Sequence, residues 1–204
     1  LSVLCAAIAL TATAPAHAQS KGTFSVDVGA GLPFYASNLN LNSNVGFGGR
    51  LGYLFTDKIG LEADVFYYST EPSSLNYTGV TVTEMPITGR LTYNAGMGKG
   101  LAAIFGLGYT YNSWGGDAKT YFETSSSSDG GPSGLFGLRF GAGGPVSLRV
   151  DLTGTYVTSP INDTTSLTSG GPVADDSRFD VGMDAMLSLG CGGNKTPKDS
   201  DKDG

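Results

Sequence analysis

The stretch FSVDVGAGLPF, residues 24–34, decides the fold that the sequence predicts. Its apolar side chains fall on every second position, and Ser, Asp and Gly occupy most of the positions between them. A period of two is typical of a β-strand with one apolar face. A tilted strand of about 9–11 residues crosses a bilayer, whereas strands of soluble proteins are usually shorter. The stretch therefore predicts a membrane-spanning strand.

The same alternation recurs along the chain, in seven further segments: 45–55, 59–67, 84–93, 101–110, 136–140, 146–153 and 179–187. An even number of antiparallel strands is what a closed membrane barrel requires. We therefore predict an all-β fold, a closed antiparallel up-and-down transmembrane β-barrel of about eight strands.

The predicted connections alternate in length. Short ones fall at 56–58, 96–100 and 143–145, and longer polar ones at 36–43, 70–79, 113–133 and 158–177. In outer-membrane barrels short turns face the periplasm and long loops face outward. Both ends of the barrel are then expected in the periplasm.

Aromatic residues lie near both predicted rims, where interface girdles occur in membrane barrels. Beside the long loops are Phe34, Tyr35, Tyr67, Tyr68, Tyr109, Tyr111, Trp114 and Tyr156; beside the short turns are Phe24, Tyr53, Phe55 and Tyr93. The alternative is that these aromatic residues form an ordinary β core.

The first residues have the character of a secretory signal. LSVLCAAIALTATA, residues 1–14, is apolar but too short to span a bilayer as a helix, and Ala16-His17-Ala18 is a small-x-small cleavage site. We predict a cleaved signal peptide over 1–18 and a barrel domain over 19–190. Because no initiating Met or basic segment precedes it, the sequence is expected to begin inside this signal.

Composition narrows the classes of function. The net charge is −6 and Lys and Arg are not clustered, which counts against nucleic acid as a partner. The only histidine, His17, lies in the predicted signal, and this disfavours Ser-His catalysis and His-ligated metals in the mature chain. We therefore predict that the protein is not an enzyme.

Charged residues within the predicted strands all lie on the weakly hydrophobic face. They are Asp27, Arg50, Glu62, Asp64, Glu84, Arg90, Arg139, Arg149, Asp151, Asp180 and Asp184. An ion in lipid is costly, whereas opposite charges in a narrow lumen pair with each other. The parity predicts an ion network inside the barrel. Paired carboxylates acting as general acid and base are a weaker alternative, because the sequence shows neither a pocket nor a nucleophile.

The last six residues, DSDKDG, place Asp199, Asp201 and Asp203 two positions apart before a glycine. Calcium loops present oxygen ligands in this way around a sharp turn. The three residues are predicted to form a partial calcium site, and the alternative is a solvated acidic tail.

At this point the chain resembles the OmpA family. The resemblance rests on the signal, the eight alternating segments with Arg and Glu in the lumen, the Phe55-Thr56-Asp57 turn, and an Asp-rich segment over 191–204 like thrombospondin type 3 repeats. It implies that 191–204 is the start of a periplasmic linker. In that family a peptidoglycan-binding domain usually follows, so the sequence would be a fragment. Cys191 is expected in a flexible joint at the linker, as a possible disulfide partner for a cysteine outside this sequence.

Three functions remain open. The first is a structural anchor of the outer membrane, in contact with its lipopolysaccharide and linked to peptidoglycan only through the part beyond Gly204. The second is a surface adhesin or receptor module whose loops bind an unidentified partner. The third is a narrow porin-like channel, which an eight-stranded barrel disfavours because side chains just fill its interior.

Overall fold

The computed structural model describes residues 21–73, 78–98, 100–122, 127–142, 146–158 and 177–192. The predicted signal peptide and the predicted calcium ligands Asp199, Asp201 and Asp203 lie outside the described residues. These predictions therefore stay predictions.

Eight strands form the molecule: β1 (Thr23–Phe34), β2 (Gly46–Leu54), β3 (Ile59–Thr70), β4 (Val82–Gly98), β5 (Leu101–Gly116), β6 (Ser128–Phe140), β7 (Val146–Val157) and β8 (Arg178–Gly192). A 3₁₀ turn over Ser37–Leu39 follows β1, and a four-residue helix, α1 (Ala118–Tyr121), follows β5. Among the described residues, no helix is long and apolar enough to cross a membrane.

The strands close into one barrel in chain order. Each pairs antiparallel with its neighbours, and β1 closes the barrel against β8 from Thr23↔Gly192 to Phe34↔Val181. The predicted closed eight-stranded fold is confirmed. Turns between β2 and β3, β4 and β5, and β6 and β7 lie at one end, the short-turn end, and the longer connections lie at the other, the loop end.

Apolar and polar side chains are sorted by strand parity. In β3 every residue from Ile59 to Thr70 alternates between exposed and buried, with the apolar Leu61 and Val65 outside and the carboxylates Glu62 and Asp64 inside. Outward-facing Phe47 and Leu107 are 72 % and 78 % exposed. A continuous apolar outer surface of this kind is stable against lipid rather than water.

The connection between β5 and β6 differs from the prediction. The predicted loop over 113–133 is wrong at both ends, because β5 continues to Gly116 and β6 begins at Ser128. Polar residues in this region resemble a loop in the sequence but face the lumen. Asn112 Nδ2 donates a hydrogen bond to Asp129 Oδ1 at 2.8 Å, so the polar side chains hold the two strands together.

The loop end carries a small apolar core, the loop-end cap. Its members are Leu39, Leu41, Val82, Trp114, Ala118, Tyr121 and Phe122, all buried. The rings of Trp114 and Phe122 meet edge to face at 5.6 Å, and the Tyr121 hydroxyl donates to the Leu39 carbonyl oxygen at 2.9 Å. The cap therefore joins the segment after β1 to the segment after β5.

The girdle prediction needs a correction at the loop end. Tyr67, Tyr109 and Tyr156 are exposed on the outer face as predicted, but Tyr68 and Trp114 are buried, and Tyr35 is half-buried against the cap. In β3 and β5 the outward positions are odd-numbered, so positions 68 and 114 point inward.

Candidate functional site: the charged lumen

The lumen collects charged side chains from seven of the eight strands. β2 contributes Arg50, β3 contributes Glu62 and Asp64, and β7 contributes Arg149 and Asp151; Asp27, Arg90, Arg139 and Asp184 come from β1, β4, β6 and β8. All nine are buried. We call this set the central network.

Arginine and lysine are separated in space. The sequence contains five arginines, and all five are buried inside the barrel, whereas the described lysines Lys21, Lys58 and Lys119 are exposed. The planar guanidinium has five donors and is weakly hydrated, so it satisfies several carboxylates in a confined space. The ammonium group of lysine is strongly hydrated and stays in water.

Arg50 lies at the centre of the network. Its Nη1 donates to Asp151 Oδ2 at 2.5 Å and its Nε donates to Asp64 Oδ2 at 3.3 Å. Carboxylate oxygens of Glu62 and Asp184 lie at 3.7 and 3.8 Å from the same guanidinium. Arg50 thus joins β2 to strands on the opposite side of the barrel.

Arg149 forms the second centre. Its two terminal nitrogens donate to the two Glu62 oxygens at 2.6 and 3.0 Å, and its Nε donates to Asp151 Oδ1 at 2.8 Å. Asp151 therefore bridges Arg149 and Arg50. Paired, hydrogen-bonded charges of this kind are the arrangement in which a buried ion is tolerated.

The remaining members surround these two centres. Arg90 Nη2 lies 3.1 Å from Asp64, and Asp27 lies 4.0 Å from both Arg139 and Arg149. The Ser188 hydroxyl donates to Asp27 Oδ1 at 2.5 Å across the β1–β8 seam. Four guanidinium groups thus face five carboxylates, which leaves the central network nearly neutral.

Two predicted members lie elsewhere. Glu84 and Asp180 are inside the barrel but at its loop end, away from the four arginines of the central network. Asp180 pairs instead with Arg178, whose Nε donates to Asp180 Oδ2 at 2.7 Å. Arg178 Nη1 also donates to Asp129 Oδ2 at 2.6 Å, and its guanidinium carbon lies 5.4 Å from the Trp114 ring centroid.

Arg178 and Asp129 are lumen residues that were not predicted. Both fall outside the predicted strands, among Ser, Asp and Gly neighbours. The inward alternation of β6, continued back from Gly137 by four steps, reaches Asp129, and that of β8, continued back from Asp180 by one step, reaches Arg178, so the signal was present.

Two lumen cavities lie on either side of the central network. One of about 10 Å³ lies at the short-turn end beside Glu62, Thr92, Asn94 and Arg139. The other, of about 70 Å³, lies at the loop end and is lined in part by Tyr35, Glu84, Thr110, Asn112, Thr155 and Asp180. On β3, Asp64 and Phe66 separate the two, with Phe66 stacked on Tyr68 at 5.8 Å.

The comparison with known families decides the class. The family described as "Outer membrane protein beta-barrel domain" matches residues 2–185 of the 204. The chain belongs to this family. It is an OmpA-like, integral outer-membrane barrel of eight strands.

Solved outer-membrane barrels share its fold at low sequence identity. OprG from Pseudomonas aeruginosa matches with a TM-score of 0.54 and 16 % identity, over 86 % of this chain and 99 % of that one. Neisserial surface protein A matches with a TM-score of 0.52 and 12 % identity, over 85 % and 99 %. AlkL, solved in lipid bilayers, matches with a TM-score of 0.50 and 16 % identity, over 87 % and 94 %. A search of curated protein sequences finds no significant match.

The chemistry of this outer-membrane barrel's lumen is that of ion pairing. The described residues contain no histidine, and within the described ranges no three His, Cys, Asp or Glu side chains converge as metal ligands. The Ser188 hydroxyl donates its hydrogen bond to the Asp27 carboxylate across the β1–β8 seam. The arrangement joins strands on opposite sides of the barrel by ion pairs.

Proposed function

We propose that this outer-membrane barrel is a non-enzymatic structural protein that anchors the outer membrane to the cell wall. The observation that carries the proposal is the central network: Arg50 and Arg149 are 2 % and 0 % exposed and join opposite walls of the barrel. A lumen filled by side chains in this way favours a rigid barrel over an open channel. The link to peptidoglycan rests on the OmpA resemblance, which implies that a peptidoglycan-binding domain follows the linker.

Two measurements test this proposal. In planar bilayers the folded chain is expected to give no steady conductance, and a stable open channel would contradict the structural role. For the link to the wall, a longer chain that continues past Gly204 is expected to sediment with isolated peptidoglycan, whereas residues 19–204 alone are not. Equal sedimentation of both, or of neither, would refute the anchoring.

A second candidate function is surface recognition through the loop end. The loop-end cap favours it, because buried Trp114, Tyr121 and Phe122 hold the described segments after β1 and β5 together before any partner arrives. A cell-binding assay tests this candidate: Tyr121→Ala should loosen the cap and lower adhesion of expressing cells. A matched Lys119→Ala change, at an exposed position on the same helix, serves as the control.

The orientation is part of both proposals. With the loop end outside the cell, a membrane-impermeant amine reagent applied to intact cells should label Lys119, near the loop end, and not Lys58, in the turn between β2 and β3. Labelling of Lys58 alone would show that the short-turn end faces outward instead.

A further inference from the structure

One part of the loop-end cap is fixed to the barrel wall. Val82 and Trp114 belong to β4 and β5 themselves, and both are buried. The segment after β1, which carries Leu39, is tied to the end of β3, where the Asn42 amide donates to the Glu71 carbonyl oxygen at 3.0 Å. These residues form a fixed surface at the loop end.

The other part of the cap is the short helix α1 with Phe122, residues 118–122, which we call the lid. A single helical turn is not stable alone. The side chain of Asp117 does not cap it, because its carboxylate accepts a hydrogen bond from the Thr81 amide at 2.9 Å. Tyr121 and Phe122 are 3 % and 0 % exposed, and the Tyr121 hydroxyl donates to the Leu39 carbonyl oxygen at 2.9 Å. The position of the lid therefore depends on packing against the fixed surface.

The lid lies over the larger lumen cavity. Phe122 contacts the Trp114 ring edge to face at 5.6 Å, and Trp114 lies 6.4 Å from the Tyr35 ring. Tyr35 in turn lines the cavity of about 70 Å³ at the loop end. Contacts thus run from the lid through Trp114 to the cavity, so the lid stands between the cavity and the outside of the loop end.

The floor of the same cavity is an apolar cluster of Phe66, Tyr68 and Met186, all buried. The rings of Phe66 and Tyr68 are nearly parallel, at 5° with centroids 5.8 Å apart. They lie against Gly46 and Gly48 of β2, where an added Cβ would collide with the rings. Glycine in a strand permits such a close approach. The floor separates the cavity from the central network.

We propose that the lid opens about Asp117 and admits small solutes from the loop end to the cavity, while the floor keeps them from the central network. A segment held by few contacts opens at a lower free energy than the strands around it. The cavity is then a vestibule with one entrance. Opening of the lid creates no path through the barrel, so this inference is independent of both proposed functions.

Thiol labelling tests access to the vestibule. In the full chain, with both native cysteines changed to Ser, Thr110→Cys places a thiol on the cavity wall at a position that is 5 % exposed. Iodoacetamide should label it at least about tenfold more slowly than Lys119→Cys, on the exposed face of α1, because it reacts only while the lid is open.

The decisive variant is Tyr121→Ala, which removes the buried ring and its hydrogen bond. It should raise the labelling rate at position 110 by at least about tenfold, whereas Lys119→Ala should not change it. Asn94→Cys, beside the small cavity at the short-turn end, is the control for general loosening, and Tyr121→Ala should leave its labelling rate unchanged. Folding is checked by the gel shift on heating. If Tyr121→Ala does not fold, Tyr121→Phe removes the hydroxyl alone and should raise the rate at position 110 by a smaller factor.

Hydrogen exchange of the unchanged chain measures the movement of the lid itself. The amides of Tyr121 and Phe122, which donate to the Asp117 and Ala118 carbonyl oxygens, should exchange at least about tenfold faster than the ladder amides of β5. Equal protection of α1 and β5, or equal labelling of position 110 with and without the folded Tyr121 change, would overturn the proposal. Labelling of position 110 as fast as position 119, or a matching rise at position 94, would overturn it as well.

Discussion

Replacing Arg149 with Met is the sharpest test of the central network. The guanidinium is fully buried and donates three hydrogen bonds, two to Glu62 at 2.6 and 3.0 Å and one to Asp151 at 2.8 Å. Methionine keeps an apolar stem of similar length, so the change removes charge and donors with little change of volume. Glu62 then loses its bidentate partner inside the barrel.

The magnitude follows from this geometry. A hydrogen bond to a charged group contributes about 1.5–3 kcal/mol, and three are lost together. Removing one partner of a buried pair costs about 3–5 kcal/mol, less than the plain sum because the site relaxes and the neighbouring Arg50 still lies 3.7 Å from Glu62. We therefore expect the free energy of unfolding to fall by about 3–5 kcal/mol.

The assay is urea unfolding of the barrel in lipid vesicles, followed by Trp114 fluorescence. Lys58→Met removes an exposed cation from a turn and should change stability by no more than about 0.5 kcal/mol. The double variant Arg149→Met with Glu62→Gln should be destabilised less than the sum of the single variants, because it leaves fewer unpaired charges. If Arg149→Met unfolds at the same midpoint as Lys58→Met, the network does not stabilise the fold.

Three further predictions follow from the barrel and its tail. Gly48→Ala should lower the unfolding free energy by about 1–3 kcal/mol, because the added Cβ would lie 2.5 Å from the Phe66 ring and closer still to a backbone oxygen. Gly89→Ala is the control and should be neutral in the same urea assay, because its added Cβ would have no atom within 4 Å. The chain in detergent should migrate differently on gels before and after boiling, and its circular dichroism should show strand; substantial helix would contradict the fold. A chain extended past Gly204 should show calcium heat in calorimetric titration that Asp201→Ala reduces, and equal heat in both would leave the motif an acidic tail.

Strand parity made most of the architecture predictable from the sequence. The alternation in residues 59–67 reappears as the exposed and buried pattern of β3, and the eight segments close as expected. Parity succeeds because successive side chains of a strand point to opposite faces, whatever the local composition. It also placed Arg50, Arg149 and Asp151 inside, since a charge on the lipid face is costly.

The predictions that were wrong are those made from amino-acid composition rather than from the alternation of inward and outward positions. Trp114 was assigned to a girdle because it is aromatic, although its even position in β5 faces inward, where it packs against Phe122. Asp129 was assigned to a loop because its neighbours are Ser and Gly. Which arginine meets which carboxylate was beyond the sequence, because the partners come from strands whose stagger around the barrel no local pattern encodes.

The lumen contacts join residues that are far apart along the chain, and this has a consequence for assembly. Arg149 and Glu62 are 87 residues apart, Arg50 and Asp151 are 101, and Asp27 and Ser188 are 161. Neighbouring hairpins form from local contacts, but these pairs meet only after the first and last strands have joined. They therefore contribute to stability only after most of the loss of loop-closure entropy has occurred. Until then the arginines of a half-formed sheet lack their carboxylate partners, and placing them in the hydrocarbon core of the bilayer would be energetically costly. Closing the ring and entering the bilayer should therefore occur as one concerted event.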